Sequence, residues 1–433
     1  MKYYSTGNKQ QKRSLRDAVL EGLAPDGGLY MPEKIPVLPE EQILSFRNKN
    51  FNEISAELAL QLFGEDLTEQ EILQITESAI IFDTPLVTVE DGIHTLELFH
   101  GPTLAFKDVG ARFMARMLGY FTKGLNKEIN VLVATSGDTG SAVANGFFDV
   151  EGVRVFILYP SGGVSQLQEK QLTTLGGNIT ALEISGTFDD CQRIVKSAFQ
   201  DPELTKKLIL TSANSINLAR LLPQSFYYFN AWAQLTEKRE FYVSVPSGNF
   251  GNLTAGLIAG RMGLPVKHYI VATNVNDVVP EYLQTGNFRT RPSIPTIANA
   301  MDVGNPSNFA RILDLYDNSH KDIRNAMSAY AFSDNDLKRT MGEVYQRTGY
   351  MLDPHGAAGY QALIQYTNKN KGIPGVFFET AHPGKFSLTV EEVIQSSIEI
   401  PEMLKQASTK EKQSIPLSAE FTDFKDFLIQ SAV

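Results

Sequence analysis

Apolar positions change their period twice along this chain. Over residues 53–79 they recur at helical spacing, as Ile54, Leu58 and Leu62 and then Ile72, Ile75 and Ala79, until Thr84-Pro85 interrupts the run. This predicts a mainly helical region over residues 1–90, with a turn at Ala24-Pro25-Asp26-Gly27-Gly28. From about Ile93, short β-branched runs alternate with amphipathic segments. Strands are predicted at 129–135, 153–159, 179–184, 208–211, 241–245 and 268–272, with helices over 140–148, 164–175, 188–199, 218–235 and 253–262. Such alternation means βαβ units and a parallel sheet covered on both faces. There are too many units for one small sheet, so the expected fold class is α/β with two stacked parallel-sheet-containing domains. After Asn274 the pattern loosens. Residues 286–308, rich in Pro, Asn, Arg and Ser, are expected to form a long loop and are a candidate moving cover. Helices follow at 336–348 and 357–368, then a strand at 376–378. The expected division is 1–90; 91–108 with 203–400 as a large domain; 109–202 as a small one; and 401–433 as a tail.

Composition narrows the function classes. With 39 Lys+Arg against 49 Asp+Glu, the formal charge of −10 argues against a nucleic-acid partner. No apolar run approaches the roughly 18 residues that span a bilayer. The single cysteine, Cys191, excludes an internal disulfide framework and Cys-rich zinc sites. Together with the lack of a signal-like apolar segment, this leads us to expect a cytoplasmic protein. The six histidines show no metal-ligand spacing, so no metal is expected, and no Gly-x-Ser-x-Gly elbow occurs. Cys191 and Trp232 fall in helix patterns and read as packing, and His382 as a structural or helper residue.

In open α/β sheets, ligands bind beyond the carboxyl ends of the strands, so the chemistry is sought in the loops there. The loop Pro246-Ser247-Gly248-Asn249-Phe250-Gly251-Asn252 joins a strand to a helix and can expose successive N–H groups to a phosphate. Its spacing is neither a dinucleotide fingerprint nor a Walker A loop; a tight turn explains it equally well. Ser136-Gly137-Asp138-Thr139-Gly140-Ser141 is a second such turn, suited to a carboxylate, although Asp138 opposes an anion unless it serves as a helix cap. If a helix starts near Phe106, Lys107 shares the apolar stripe with Gly110, Ala111, Met114 and Leu118, while Asp108, Arg112 and Arg116 form the opposite, charged stripe. Burial lowers a lysine pKa and frees a nucleophilic amine; a lysine snorkelling at a helix end is the bland alternative. In Ser212-Ala213-Asn214-Ser215-Ile216-Asn217-Leu218-Ala219-Arg220, the polar residues can cap a helix or share an anion with Arg220; by default Arg220 is an exposed surface residue.

Taken in this order within one α/β chain, the motifs closely resemble those of the threonine synthase family, fold type II pyridoxal-phosphate enzymes of the tryptophan synthase β-like kind. The resemblance runs from Leu23-Ala24-Pro25-Asp26-Gly27-Gly28-Leu29-Tyr30 to Thr380-Ala381-His382-Pro383-Gly384-Lys385-Phe386, where many bacterial relatives have Ala in place of Gly384. It implies that residues 1–90 are the family's amino-terminal domain. It implies that Lys107, in His100-Gly101-Pro102-Thr103-Leu104-Ala105-Phe106-Lys107-Asp108, carries pyridoxal 5'-phosphate as an imine. Gly248, Asn249, Phe250, Gly251 and Asn252 would hold the cofactor phosphate, and Thr380 would face the pyridine nitrogen. Thr135, Ser136, Gly137 and Thr139 would line the substrate carboxylate. Asn214, Ser215 and Arg220 would hold the substrate's own phosphate. Asp138 stands where many type II enzymes have Asn, which puts its expected contact with the cofactor in question. The implied reaction is that of a carbon–oxygen lyase acting on phosphates: γ-elimination of phosphate from O-phospho-L-homoserine and addition of water at the β carbon, giving L-threonine, the last step of threonine biosynthesis. A monomer is expected. Two rivals make different predictions: another type II enzyme, such as a dehydratase or cysteine synthase, needs no second phosphate site, and a cofactor-free binding protein needs no Lys107.

Overall fold

In the computed structural model, which describes residues 1–135, 137–236 and 240–431, the strands gather into three sheets. The first is antiparallel, ordered β2-β1-β3, from β1 (Tyr3–Ser5), β2 (Lys12–Arg13) and β3 (Tyr30–Pro32). It adds three short strands to a region that is otherwise mainly helical, as expected; runs of two or three residues are too short for a period of two to register. The helices Phe51–Phe63 and Glu69–Ala79 begin at capping boxes, Asn50 with Glu53 and Thr68 with Glu71, which explains their sharp starts.

The small sheet is parallel, ordered β14-β8-β7-β6-β9, from β6 (Ile129–Ala134), β7 (Val153–Pro160), β8 (Ile179–Ser185), β9 (Ile209–Ser212) and β14 (Ile415–Ser418). So β9 and β14 join it from stretches that sequence reading placed in the large domain and the tail. The large sheet is ordered β12-β11-β10-β13-β5-β4. It comprises β4 (Leu86–Glu90), β5 (Ile93–Glu97), β10 (Phe241–Pro246), β11 (Val266–Thr273), β12 (Met327–Ala331) and β13 (Gly375–Glu379). Only β4 runs antiparallel to its neighbour. Every residue of β6, β10 and β13 is buried, which is why their apolar runs are continuous rather than alternating.

The helix predicted over 218–235 is broken into Leu218–Leu221, a 3-10 segment Leu222–Ser225 and Phe226–Gln234, because Pro223 has no N–H and its ring crowds the preceding turn. Helix Lys107–Thr122 passes through the main core, where Phe113 stacks on Phe63 at 5.6 Å and meets Phe226 edge-on at 5.7 Å. The amino-terminal helices are therefore packed directly against the helix that begins with Lys107. Its charged stripe is not solvated. Asp108 is buried and accepts from Thr103, while Arg112 is buried and donates to the Ser78 and Ala79 carbonyls at the end of helix Glu69–Ala79. Trp232 and Cys191 are buried within helices.

Candidate functional site

A cleft of about 730 Å³ lies where the loops after β6, β9, β10 and β13 converge. Lys107, Thr135, Thr139, Asn214, Ser215, Arg220, Gly248, Asn249, Phe250, Gly251, Asn252 and Thr380 all line it. Residues more than 270 positions apart thus meet at one point, as expected where ligands bind beyond strand ends. Ser136 lies outside the described residues.

The loop after β10 is held rigidly. The Asn252 side chain accepts from Ser247 Oγ at 2.7 Å and donates to the Pro246 carbonyl at 2.8 Å. Phe250 adopts a left-handed conformation (φ 61°) at the start of helix Gly251–Arg261, and the first residues of that helix, whose N–H groups have no partner within it, line the cleft. A Cβ on Gly248 would lie 2.5 Å from the Ala300 carbonyl oxygen, so only glycine fits between this loop and the 286–308 segment. Asn249 Nδ2 donates to Ser215 Oγ at 2.7 Å, and Asn308 Nδ2 donates to the same oxygen at 3.0 Å. The loops after β9 and β10 and the long loop are thereby tied together.

After β6, Thr135 Oγ1 accepts from the N–H groups of Gly137 and Gly140, at 3.0 and 2.8 Å, which shapes the turn into helix Asp138–Phe147. Asp138 is a buried carboxylate. Its Oδ1 accepts from Lys385 Nζ at 2.6 Å and from Gln168 Nε2 at 3.0 Å, and its Oδ2 is 3.9 Å from Lys107 Nζ. Burial alone would raise its pKa, but Lys385 and Lys107 outweigh burial and hold it well below the usual carboxylate range. Lys107 itself is brought down to about 8, first by burial and then by the charges of Arg220 and Lys385, against the pull of Asp138.

Arg220 is buried, not exposed, which corrects the default sequence reading. Its only side-chain hydrogen bond among the described residues is Nη1 to the Ala213 carbonyl at 2.6 Å, and Nε is buried without a partner. Burial lowers its pKa to about 10. A desolvated, incompletely bonded cation on a cleft wall has donors left over for an anion. Asn214 donates from Nδ2 to the Ala134 carbonyl at 2.9 Å, bridging the ends of β6 and β9. Thr380 follows Glu379, a buried carboxyl whose pKa is pushed far up by burial and by Asp353. His382 Nδ1 accepts from the Gly384 N–H at 2.9 Å, a capping role.

The residues that sequence reading left without a role are Lys385, Gln168, His355 and Asp302. Lys385 stood within a quoted motif, but only the folded chain reveals that its amine is buried beside Asp138. Both His355 and Asp302 line the cleft; Asp302 belongs to the 286–308 loop singled out by its composition, whereas nothing local marks His355.

The site has the features a pyridoxal-phosphate cofactor requires: a partly buried amine with a lowered pKa, and a glycine-pinched helix start that a Cβ would block. Among the described residues no cluster of His, Cys, Asp and Glu could hold a metal ion, and no helix is long and apolar enough to cross a membrane. Comparison with known proteins agrees. The profile of pyridoxal-phosphate-dependent enzymes matches residues 78–376, that of the threonine synthase N terminus residues 2–80, and that of the threonine synthase C-terminal region residues 356–428. The threonine synthase of Haemophilus influenzae is 42% identical over 433 residues, covering 100% of both chains. The crystal structure of threonine synthase from Escherichia coli superposes with a TM-score of 0.94 at 41% identity, covering 100% of both chains. That of the PLP-bound enzyme from Brucella melitensis gives 0.92 at 34%, covering 100% of this chain and 99% of the other.

Proposed function

The chain belongs to the threonine synthase family of pyridoxal-phosphate-dependent enzymes, and from that premise we propose that it converts O-phospho-L-homoserine and water into L-threonine and phosphate. The observation that carries this choice over other reactions of the same fold is Arg220, a buried and under-bonded guanidinium that lines the cleft apart from the glycine loop. One phosphate-bearing cofactor needs one anion cradle. A second cradle beside Lys107 fits a substrate that carries its own phosphate.

In this reading, Gly248, Asn249, Phe250, Gly251 and Asn252 hold the cofactor phosphate at the start of helix Gly251–Arg261, and Thr380 offers its hydroxyl to the ring nitrogen. The bound cofactor supplies the electron sink. Thr135, Ser136, Gly137 and Thr139 take the substrate carboxylate; Asn214, Ser215 and Arg220 take its phosphate. Lys107 Nζ removes a proton from the α carbon and then one from the β carbon. Phosphate departs from the γ carbon with Arg220 balancing its charge. A proton is returned to the γ carbon, water adds its hydroxyl at the β carbon and gives up its other proton, and a proton returned to the α carbon completes L-threonine. An amine near 8 suits this work, since it both accepts and returns protons close to neutral pH. The reading places the protein among carbon–oxygen lyases acting on phosphates, as a cytoplasmic monomer. Its test is stoichiometric release of inorganic phosphate and L-threonine from O-phospho-L-homoserine by the purified, cofactor-loaded protein. Loaded protein that releases no phosphate from this substrate defeats the assignment.

A further inference from the structure

Behind the cleft wall, the buried Asp138 and Lys385 stand beside the partly buried Lys107, and their charges do not balance. Asp138 carries one negative charge, whereas Lys107 and Lys385 present two amines to it. The contacts are unequal. Lys385 Nζ sits 2.6 Å from Oδ1, within hydrogen-bond reach, while Lys107 Nζ stands 3.9 Å from Oδ2. Attraction falls with distance, so the Lys385 contact is about half again as strong before the hydrogen bond is counted. The Lys385 side chain is fully buried, and its other partner is the Thr103 carbonyl at 2.9 Å. It reaches the site from the 3-10 turn Pro383–Phe386 that follows β13.

We propose that Lys385 is a positioning residue for the reacting amine: by engaging Asp138 it prevents that carboxylate from becoming the private counter-ion of Lys107, which leaves Lys107 free to act as a neutral nucleophile and base. The inference rests on Lys107 being the cofactor-bearing lysine. The groups that face it from the packed elements are Asp138 at the start of helix Asp138–Phe147, Lys385 after β13 and Arg220 on Leu218–Leu221. On its own helix, Asp108 is turned away and held by the Thr103 N–H and hydroxyl at 2.8 and 2.5 Å. Of these, only Asp138 is a carboxylate in position to stabilise a protonated Lys107, and Lys385 already occupies it. Removing Lys385 therefore has two effects with the same sign. It deletes a nearby positive charge and releases a carboxylate, and both favour the ammonium form of Lys107. A lysine that served only as a cross-link between the Thr103 loop and helix Asp138–Phe147 would affect stability but not this proton.

The test uses the full-length chain stripped of cofactor. The rate of pyridoxal-phosphate loading is followed by absorbance as a function of pH from below to above about 8, the value to which the Lys107 amine is brought. For Lys385→Met the midpoint of the rate profile should move upward by about one unit, so that loading at neutral pH slows about tenfold. Lys385→Arg should restore the original midpoint. Asp138→Asn should move it the opposite way, to lower pH. A midpoint that is unchanged or lowered in Lys385→Met overturns the proposal. If that variant does not fold, Lys385→Gln is measured in its place: a raised midpoint supports the proposal and an unchanged or lowered one overturns it. Borohydride reduction of the loaded wild-type chain, followed by peptide mass spectrometry, separates this outcome from failure of the site assignment. Label on a lysine other than Lys107 removes the premise, whereas label on Lys107 with no shift removes only the role of Lys385.

Discussion

Replacing Arg220 with alanine removes the guanidinium that lines the cleft with one hydrogen bond to the Ala213 carbonyl and an unpartnered Nε. If Arg220 receives the substrate phosphate, at least two charge-assisted hydrogen bonds are lost. Each contributes about 1.5–3 kcal/mol, so the loss is about 3–6 kcal/mol. At about 1.4 kcal/mol per factor of ten, kcat/KM for O-phospho-L-homoserine should fall by about 10²- to 10⁴-fold. Most of the fall should appear in KM, because the phosphate is held before it leaves. Bound cofactor should survive, since the glycine loop is untouched. The assay is continuous phosphate release at varied substrate, with the cofactor absorbance recorded on the same sample. A fall of less than about fivefold with the chromophore intact would show that Arg220 is not the phosphate receptor. Equal losses in cofactor and turnover would point to collapse of the loop instead.

Three further outcomes follow from other parts of the structure. Gly248→Ala places a Cβ 2.5 Å from the Ala300 carbonyl oxygen and 2.8 Å from Met301 Cα, so cofactor affinity should drop at least about tenfold; unchanged affinity by equilibrium dialysis would refute the close packing. Arg311 is fully buried and donates to the Tyr30, Ser215 and Ile216 carbonyls and to Asn308 Oδ1. Arg311→Met orphans these acceptors and should destabilise the fold by about 3–5 kcal/mol in urea titration, while a loss under about 1 kcal/mol would mean that water or neighbours replace it. Asp302 is raised from 3.8 to about 6, chiefly by burial, against hydrogen bonds from Thr296 and Asn274. Between those values the folded chain holds a proton that the unfolded chain has released, so this group lowers stability as pH rises through the window. Asp302→Asn should therefore gain stability relative to wild type between pH 3.8 and about 6, and a flat difference in thermal midpoint would contradict the assignment.

Much of the site was legible locally. The loops Ser247-Gly248-Asn249-Phe250-Gly251-Asn252 and Thr135-Ser136-Gly137-Asp138 could be read because a strand, a glycine turn and a helix leave a contiguous signal. Lys107 could be singled out because helical periodicity puts it on the apolar stripe. Arg220 could not be judged the same way. Its helix, Leu218–Leu221, is a single turn, and burial comes from packing against helices remote in sequence. The short strands β1, β2 and β3 likewise carry no period of their own; each exists because a distant partner supplies its hydrogen bonds.

The linear order of residues determined the α/β class, the glycine turns and the placing of Lys107 on an apolar stripe, since these depend on side-chain period and on the backbone freedom of neighbours in the chain. Folding alone decided the electrostatics. That Asp138 lies nearer to Lys385 than to Lys107, and that Arg220 is desolvated, follow from packing between segments up to 247 positions apart. Such energies depend on distance in space, and no local pattern in sequence encodes that distance.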